Sequence, residues 1–518
     1  MGDQVQMQNV ERDEMLAVSS QILRDLGTPP DDALSVADSL VQAQEAGHAS
    51  HGVIRLIEYT SFVERGWVIP TGQPTIVSDR GAVALIDGQW GWGQVACKNA
   101  VDVATEKALA LGTATIAIRS CNHIGRLGEY PSILFVQVHT DSGLIGLGES
   151  CVGVEAVETF IHESVAPRLL GQDPLEINRI HEILHQDFIG FAGSGVAVRA
   201  ASAIDFALWD LLGQETGKTL NQLLGGKVRE KIRAYNTCAG SGYAKGSSNI
   251  DRNRKAQIGT PDATDFEDLV AFLNEPEQLV ASLKAMGFTA MKIWPFDEAA
   301  MRSGGQTITP GDLAEGVDIM RRARSAAGDN FDIMLELHSL WSVPAATIIA
   351  KAVEEFSPFW IEDPFKNEAT DALVRFRRSI NSPLTVGETT GTRWDYQRIL
   401  SSGAVDHLMI DPGWCGGITE SVKIIALASV YGVPVAPHDC TGPVVLTVGT
   451  HLGMTFPNIE LQEMVRAFYY GWYAEMVTTL PTLKDGYLIA PEGPGLGTAL
   501  RAEVRDRKDA MIRWSKVG

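Results

Sequence analysis

Between about Lys231 and Glu463 the chain repeats one grammatical unit eight times. The short apolar runs "IRAYN", "AMKIW", "IMLEL", "FWIED", "LTVGE", "HLMID", "VPVAP" and "IELQE" are separated by amphipathic segments such as "PEQLVASLKAMG", "PAATIIAKAVEEF" and "TESVKIIALASVYG". Strands of this length alternating with helices argue for parallel β/α units. Eight such units suggest a closed barrel, whose chemistry gathers at the C-terminal ends of its strands. The Gly/Ser-rich stretch from Ala239 to Thr260 follows the first strand, where a loop over the barrel mouth is expected.

Upstream the grammar differs. "ILFVQVHTDSGLIGLGES" is two apolar strands around an Asp-Ser-Gly turn, a hairpin signal. "RAASAIDFALWDLLGQETG" then repeats apolar residues at helical spacing, and the glycines of "NQLLGG" mark a stop. At the start, Met15, Val18, Ile22 and Leu26 predict one amphipathic helix, and Ala33, Val36, Ala37, Leu40 and Val41 a second. The change near Pro131, inside "LGEYPSILFVQ", reads as a seam between domains.

The 518 residues are too many for one ordinary core, and 45% hydrophobic with 21% charged residues is a globular balance. With 43 Lys and Arg against 64 Asp and Glu, the net charge of −21 argues against a nucleic-acid partner. Six cysteines without paired spacing point to a reducing compartment. No leader-like segment or apolar run of about 18 residues occurs. A cytoplasmic protein without a membrane partner is expected.

Glu336, Glu362 and Glu388 each end a strand-like run and recur every 26 residues. One β/α unit has about this length, so the three carboxylates fall at the ends of consecutive strands and converge on the mouth. Unscreened, they raise one another's pKa values. A hard divalent cation with all-oxygen ligands relieves the repulsion, and octahedral geometry suits Mg²⁺. A single strand-end glutamate is more often solvated or paired with Lys or Arg. Asp411 and His438 close two further strands 27 residues apart, and an aspartate beside a histidine fixes its tautomer and raises its basicity, as a general base requires.

These segments resemble a known family. "MKIW", "LELH", "WIEDP", "GET", "MIDPGWCGGITE", "APH" and "LQE", together with "SAIDFALWDLLGQETGKTLNQLLGG" and "PEGPGLG", resemble the mandelate racemase group of the enolase superfamily over about residues 132 to 515. The resemblance implies an α/β fold, a modified (β/α)7β TIM barrel with an α+β capping domain. It implies a carboxylate substrate bound to Mg²⁺ and deprotonated at its α-carbon, chemistry general to this superfamily. Glu336, Glu362 and Glu388 take the metal-ligand positions, His438 and Asp411 those of the base dyad, and Glu463 that of a hydrogen-bond partner to a substrate carboxylate oxygen. Lys292 matches the first lysine of the racemases' Lys-x-Lys pair and could stabilise carboxylate charge or merely pair with a glutamate. Trp294 stands where the second lysine is found. His338 shares a strand face with Glu336 and matches the general acid of acid-sugar dehydratases. One base and one acid favour dehydration of a sugar acid to a 2-keto-3-deoxy acid.

"EAGHASHGVIRLIEY" and "RSCNHIGRLGEY" resemble the N-terminal part of the malate/L-lactate dehydrogenase family that lacks a Rossmann fold, over about residues 15 to 130. That resemblance assigns His51 and Arg55 to catalysis and substrate binding, and His123 and Gly125 to the cofactor site. The resemblance stops before a complete NAD site can be assembled, so these residues read as relics.

The organisation expected is an extra N-terminal α/β fragment (1–130), a cap (131–230), a barrel (231–480) and a C-terminal return to the cap (481–518). The cap is expected to lack its first strand and substrate-covering loop, leaving the strand at Ile133 with an open edge. Three other functions remain: a catalytically weak fusion that only binds metal, a racemase or epimerase of a 2-hydroxy acid, and an NAD-dependent 2-keto-acid reductase. The partner expected is a small-molecule carboxylate, a sugar acid, and the assembly a homo-oligomer.

Overall fold

The computed structural model describes residues 10–80, 83–111, 116–127, 130–186, 195–243 and 266–517. The chain divides into two compact units, residues 1–115 and 116–518. Most of the expected loop between Ala239 and Thr260 lies outside the described residues.

The first unit has helices Arg12–Asp25, Pro30–Glu45, Arg55–Glu64 and Gly93–Leu111 and an antiparallel pair, β1 (Thr75–Arg80) and β2 (Val83–Asp87). Its core joins Leu23, Ala33, Val36, Ala37, Leu40, Leu56 and Trp92, and the Trp92 indole donates to Thr28 Oγ1 at 2.9 Å. The second helix buries the face its spacing predicts. The first does not: Ser19, Ser20 and Leu23 are buried while Val18 and Ile22 are exposed. A buried serine costs little in a helix that packs closely, so apolar spacing picked the wrong side.

The second unit opens with β3 (Ile118–Leu127), β4 (Tyr130–Thr140) and β5 (Ile145–Cys151), and the C-terminal β16 (Met511–Lys516) completes an antiparallel sheet in the order β16-β3-β4-β5. This corrects the expected open edge. β3 covers it, pairing Ile124 with Phe135 and His123 with Val136. The seam therefore does not fall at residue 130. The covering loop is short, as expected, since two residues separate the paired Leu127 and Tyr130. β3 was illegible because "SCNHIGRL" is half polar. Its apolar residues are split between faces, Ile124 and Leu127 joining the larger core and Ile118 and Cys121 the cap's own. Its buried Asn122 and His123 are satisfied by His139, at 2.5 Å, and His162, at 2.9 Å.

The helix Val196–Thr216 lies on β4 and β5. Gly146 and Gly148 permit it: a Cβ on either would come within 2.1 Å of the carbonyl oxygens of Ala207 or Ala203.

The barrel consists of β6 (Ile232–Thr237), β7 (Ala290–Ile293), β8 (Asp332–Glu336), β9 (Ile361–Glu362), β10 (Leu384–Val386), β11 (His407–Ile410), β12 (Val435–Pro437) and β13 (Gln462–Met464). Each is paired in parallel with the next from β6 to β12, β13 pairs with β6, and a bridge from Val435 to Ile459 ties β12 to the approach to β13. A hairpin, β14 (Thr482–Lys484) and β15 (Tyr487–Ile489), adds to β6 from outside. Tyr235, Ala290, Met334, Trp360, Met409, Ala436 and Leu461 form a separate apolar cluster, the plug inside the barrel. Side chains alternate along a strand, so the residue two positions later on each strand rises above the plug. Those residues are Thr237, Lys292, Glu336, Glu362, Asp411, His438 and Glu463.

Candidate active site

Ligand atoms of Glu336, Glu362 and Glu388 lie within 4.8 Å of one another, the one group among the described residues with metal-ligand spacing. Glu336 and Glu362 are paired across β8 and β9. Glu388 reaches the same point differently. Its neighbour in register with Glu362 is Thr385, three residues earlier, and strand alternation would turn Glu388 outward. Gly387, at φ +130°, reverses the chain. A Cβ there would also meet Met409 O at 2.5 Å, so the third carboxylate depends on glycine.

The donor set fits a hard divalent cation. All three ligands are oxygens, Glu336 and Glu362 are buried, and Glu336 Oε2 is sealed from solvent without a hydrogen-bond partner. Burial and the charge of Glu336 push the Glu362 carboxyl above its usual range. The nearby cation is Lys292, whose Nζ lies 2.8 Å from Glu362, 3.0 Å from Glu463 and 3.3 Å from Glu336. Despite burial, these carboxylates hold its pKa well above the usual lysine value. Lys292 therefore pairs with glutamates, the plainer of its two readings, and sits where a substrate carboxylate would also meet it. Trp360 Nε1 fixes Glu362 from the other side at 2.8 Å.

Across the mouth, His438 Nδ1 is 2.7 Å from Asp411 Oδ2, leaving Nε2 3.4 Å from Glu388 and 4.0 Å from Glu463. Asp411 is itself held by the Gly413 N–H at 2.7 Å, capping the short helix Pro412–Cys415. Burial lowers the His438 pKa, but Glu463, Glu388 and Asp411 more than offset it and hold it well above the ordinary value. Glu463 accepts from Thr237 Oγ1 and from Asp439 N. Burial raises its pKa, but Lys292 and His438 bring it below the usual range.

His338 reaches the cavity too, although not as a strand residue. β8 stops at Glu336, and His338 and Ser339 have φ +49° and +56°. Its orientation comes from Asp297 Oδ2, 2.7 Å from Nδ1, and from Trp294, packed edge-on at 5.3 Å between ring centres. Against burial, Asp297 and Glu336 raise its pKa to about 10. Asp297 is a functional residue that sequence reading missed: it lies 41 positions from its histidine, in a segment without a motif. Thr237 and Trp414 were missed likewise.

His338, His438, Lys292, Glu388 and Glu463 line one cavity of about 200 Å³, with Trp294 and Trp414 as walls. The N-terminal motifs have other settings. His51 is exposed beside Ser50 in the first unit, and Arg55 pairs with Glu58. His123 is buried in β3 of the second unit.

A plugged barrel under a cap, with three convergent carboxylates facing a His–Asp dyad, defines a class of enzyme that acidifies a carbon next to a carboxylate. Residues 275–504 match the enolase C-terminal domain-like model, and residues 127–225 the N-terminal domain of mandelate racemase / muconate lactonizing enzyme. Residues 10–174 match malate/L-lactate dehydrogenase. The chain is 31% identical over 406 residues to a D-galactonate dehydratase of Ralstonia pickettii, covering 76% of this chain and 96% of that one. It is 30% identical to the enzyme so named from Pectobacterium atrosepticum, over 72% and 90% of the two chains. A solved enolase of the mandelate racemase subgroup from Agrobacterium tumefaciens superposes with a TM-score of 0.68 at 40% identity, over 77% of this chain and 99% of its own. The chain belongs to the enolase superfamily, in its mandelate racemase group, with an additional N-terminal segment similar to malate/L-lactate dehydrogenase.

Proposed function

We propose that the protein is a Mg²⁺-dependent lyase that removes water from a sugar acid and yields a 2-keto-3-deoxy acid. The observation that carries this reading is the pair of oriented histidines on opposite rims of one cavity, His438 with Asp411 and His338 with Asp297. The relatives named D-galactonate dehydratase support it.

Glu336, Glu362 and Glu388 hold the cation, which when bound supplies positive charge to the substrate carboxylate and so acidifies the α-carbon. Lys292 and Glu463 position that carboxylate. His438 Nε2 takes the α-proton, with Asp411 stabilising the imidazolium. His338, held by Asp297, donates a proton to the departing β-hydroxyl. The enediol left after water departs tautomerises to the 2-keto acid.

Trp294 weighs against a racemase or epimerase, because an indole offers no base to the opposite face of the α-carbon. The burial of His123 between β4 and β16 weighs against an NAD-dependent reductase. Metal binding without turnover is the outcome the experiment must exclude. A reducing cytoplasm suits the six cysteines, all free, and no helix among the described residues is long and apolar enough to cross a membrane. Incubation with Mg²⁺ and a panel of aldonic and aldaric acids, headed by D-galactonate, is expected to release a 2-keto acid detectable as its semicarbazone. Failure with every member overturns the proposal.

A further inference from the structure

A second chamber, of about 130 Å³, adjoins the reaction cavity and shares Cys151, Val152, Tyr243, Cys440 and Thr441 with it. Beyond that common wall it is bounded by Ile133 and by Tyr130 and Trp472, whose rings stack 5.1 Å apart at 25°. The contrast in charge is complete. The reaction cavity holds Lys292, Glu388, His338, His438 and Glu463, whereas no described residue lining the chamber is Lys, Arg, His, Asp or Glu.

Little in the chamber compensates a polar ligand group. Thr441 Oγ1 already faces Asp411, at 3.4 Å. Trp472 Nε1 is buried within the wall. Arg199 lies outside both linings, over the Trp414 ring at 4.7 Å, with Nη1 donating to Val152 O at 2.7 Å. Val152 itself is held at φ +65°, where a β-branched residue is strained. That conformation puts an isopropyl group at the junction of the two cavities.

A sugar acid with its carboxylate among Lys292 and the three glutamates, and its α- and β-carbons between His438 and His338, cannot extend downward through the apolar plug. Its far end must rise toward the cap, where Cys151 and Val152 form the chamber's entrance. Resting on the dehydratase reading, we propose that this chamber receives the distal end of the substrate and selects an apolar one, the terminal methyl of a deoxy aldonic acid. A terminal hydroxyl would give up water for few partners, and a terminal carboxylate would be buried without a cation.

The test compares D-galactonic acid, its 6-deoxy analogue and galactaric acid, which share configuration and differ at one end, with the Mg²⁺-loaded enzyme. The expected order of kcat/KM is deoxy, then hydroxymethyl, then dicarboxylate, with about tenfold between the first two. Val152→Asn, which suits the left-handed backbone and adds an amide at the junction, should narrow that ratio at least about threefold. A ratio of one or less, or a preference for the dicarboxylate, overturns the inference while leaving the dehydratase reading intact. If none of the acids is dehydrated, that reading fails, and the chamber is judged by thermal stabilisation with Mg²⁺ and each acid. The same order supports it, and a reversed order overturns it.

Discussion

The barrel mouth and the first strand of the cap both bury polar side chains, but to opposite ends. At the mouth, Glu336, Glu362, Lys292, Asp411, His438 and Glu463 crowd like charges together, and the surplus of carboxylate is settled only by something bound. In β3, Asn122 and His123 find their partners in His139 and His162 of the same unit. An unsettled polar cluster is a tool, and a settled one is scaffolding.

If that distinction holds, the mouth should respond to substitution in activity and β3 in stability. The largest effect is expected from removing the cation: chelation should abolish turnover, and added Mg²⁺ should restore it and raise the melting temperature. Restored activity with Ca²⁺ alone, or none with Mg²⁺, would break the assignment of the triad. His438→Asn should lower kcat by about 10³ to 10⁴ and stop exchange of the α-proton with deuterated solvent. His338→Asn should stop dehydration yet leave that exchange running, and loss of exchange in both variants would erase the division between base and acid. Asp297→Asn should cost less, on the order of 10 to 10², because it leaves the histidine in place.

In the cap, Ile124→Ala should destabilise the fold by about 2 to 5 kcal/mol, read as a lower denaturation midpoint, with kcat of the folded enzyme unchanged. The smallest effect concerns pH. Burial, assisted by Arg513 for His162 and by Arg505 for His139, lowers both pKa values to about 4 from 6.5. The unfolded chain binds these protons first, so their neutral forms support the fold above pH 6.5 and that support is lost as pH falls toward 4. His162→Gln should flatten the dependence of melting temperature on pH in that window. An unchanged slope would show that the pair does not titrate with unfolding.

How much of this could be read beforehand follows the same division. The barrel strands and their terminal residues were legible because a β/α unit has a nearly constant length, and chemistry sits at its end. Equal spacing nevertheless concealed an offset: Glu362 is in register with Glu336, whereas Glu388 lies beyond the register and is returned by Gly387. His338 was found through strand alternation, although a left-handed turn and Asp297 place it. Asp297 was invisible because its partner is distant in sequence. β3 was invisible for another reason: its pattern of apolar residues is divided between two cores, and its polar residues carried a resemblance to a different family.

That last point bears on how such a chain can exist. A strand contributes to a sheet mainly through its backbone, whose hydrogen bonds are the same whatever side chains it carries. The matches to the two families overlap from residue 127 to 174, and the two-residue link between Leu127 and Tyr130 lies at the start of that overlap. A splice at a hairpin lets one ancestry furnish the outgoing strand and another the returning one, with the ladder between them unbroken. The graft is then held by geometry common to both parents rather than by sequence belonging to either.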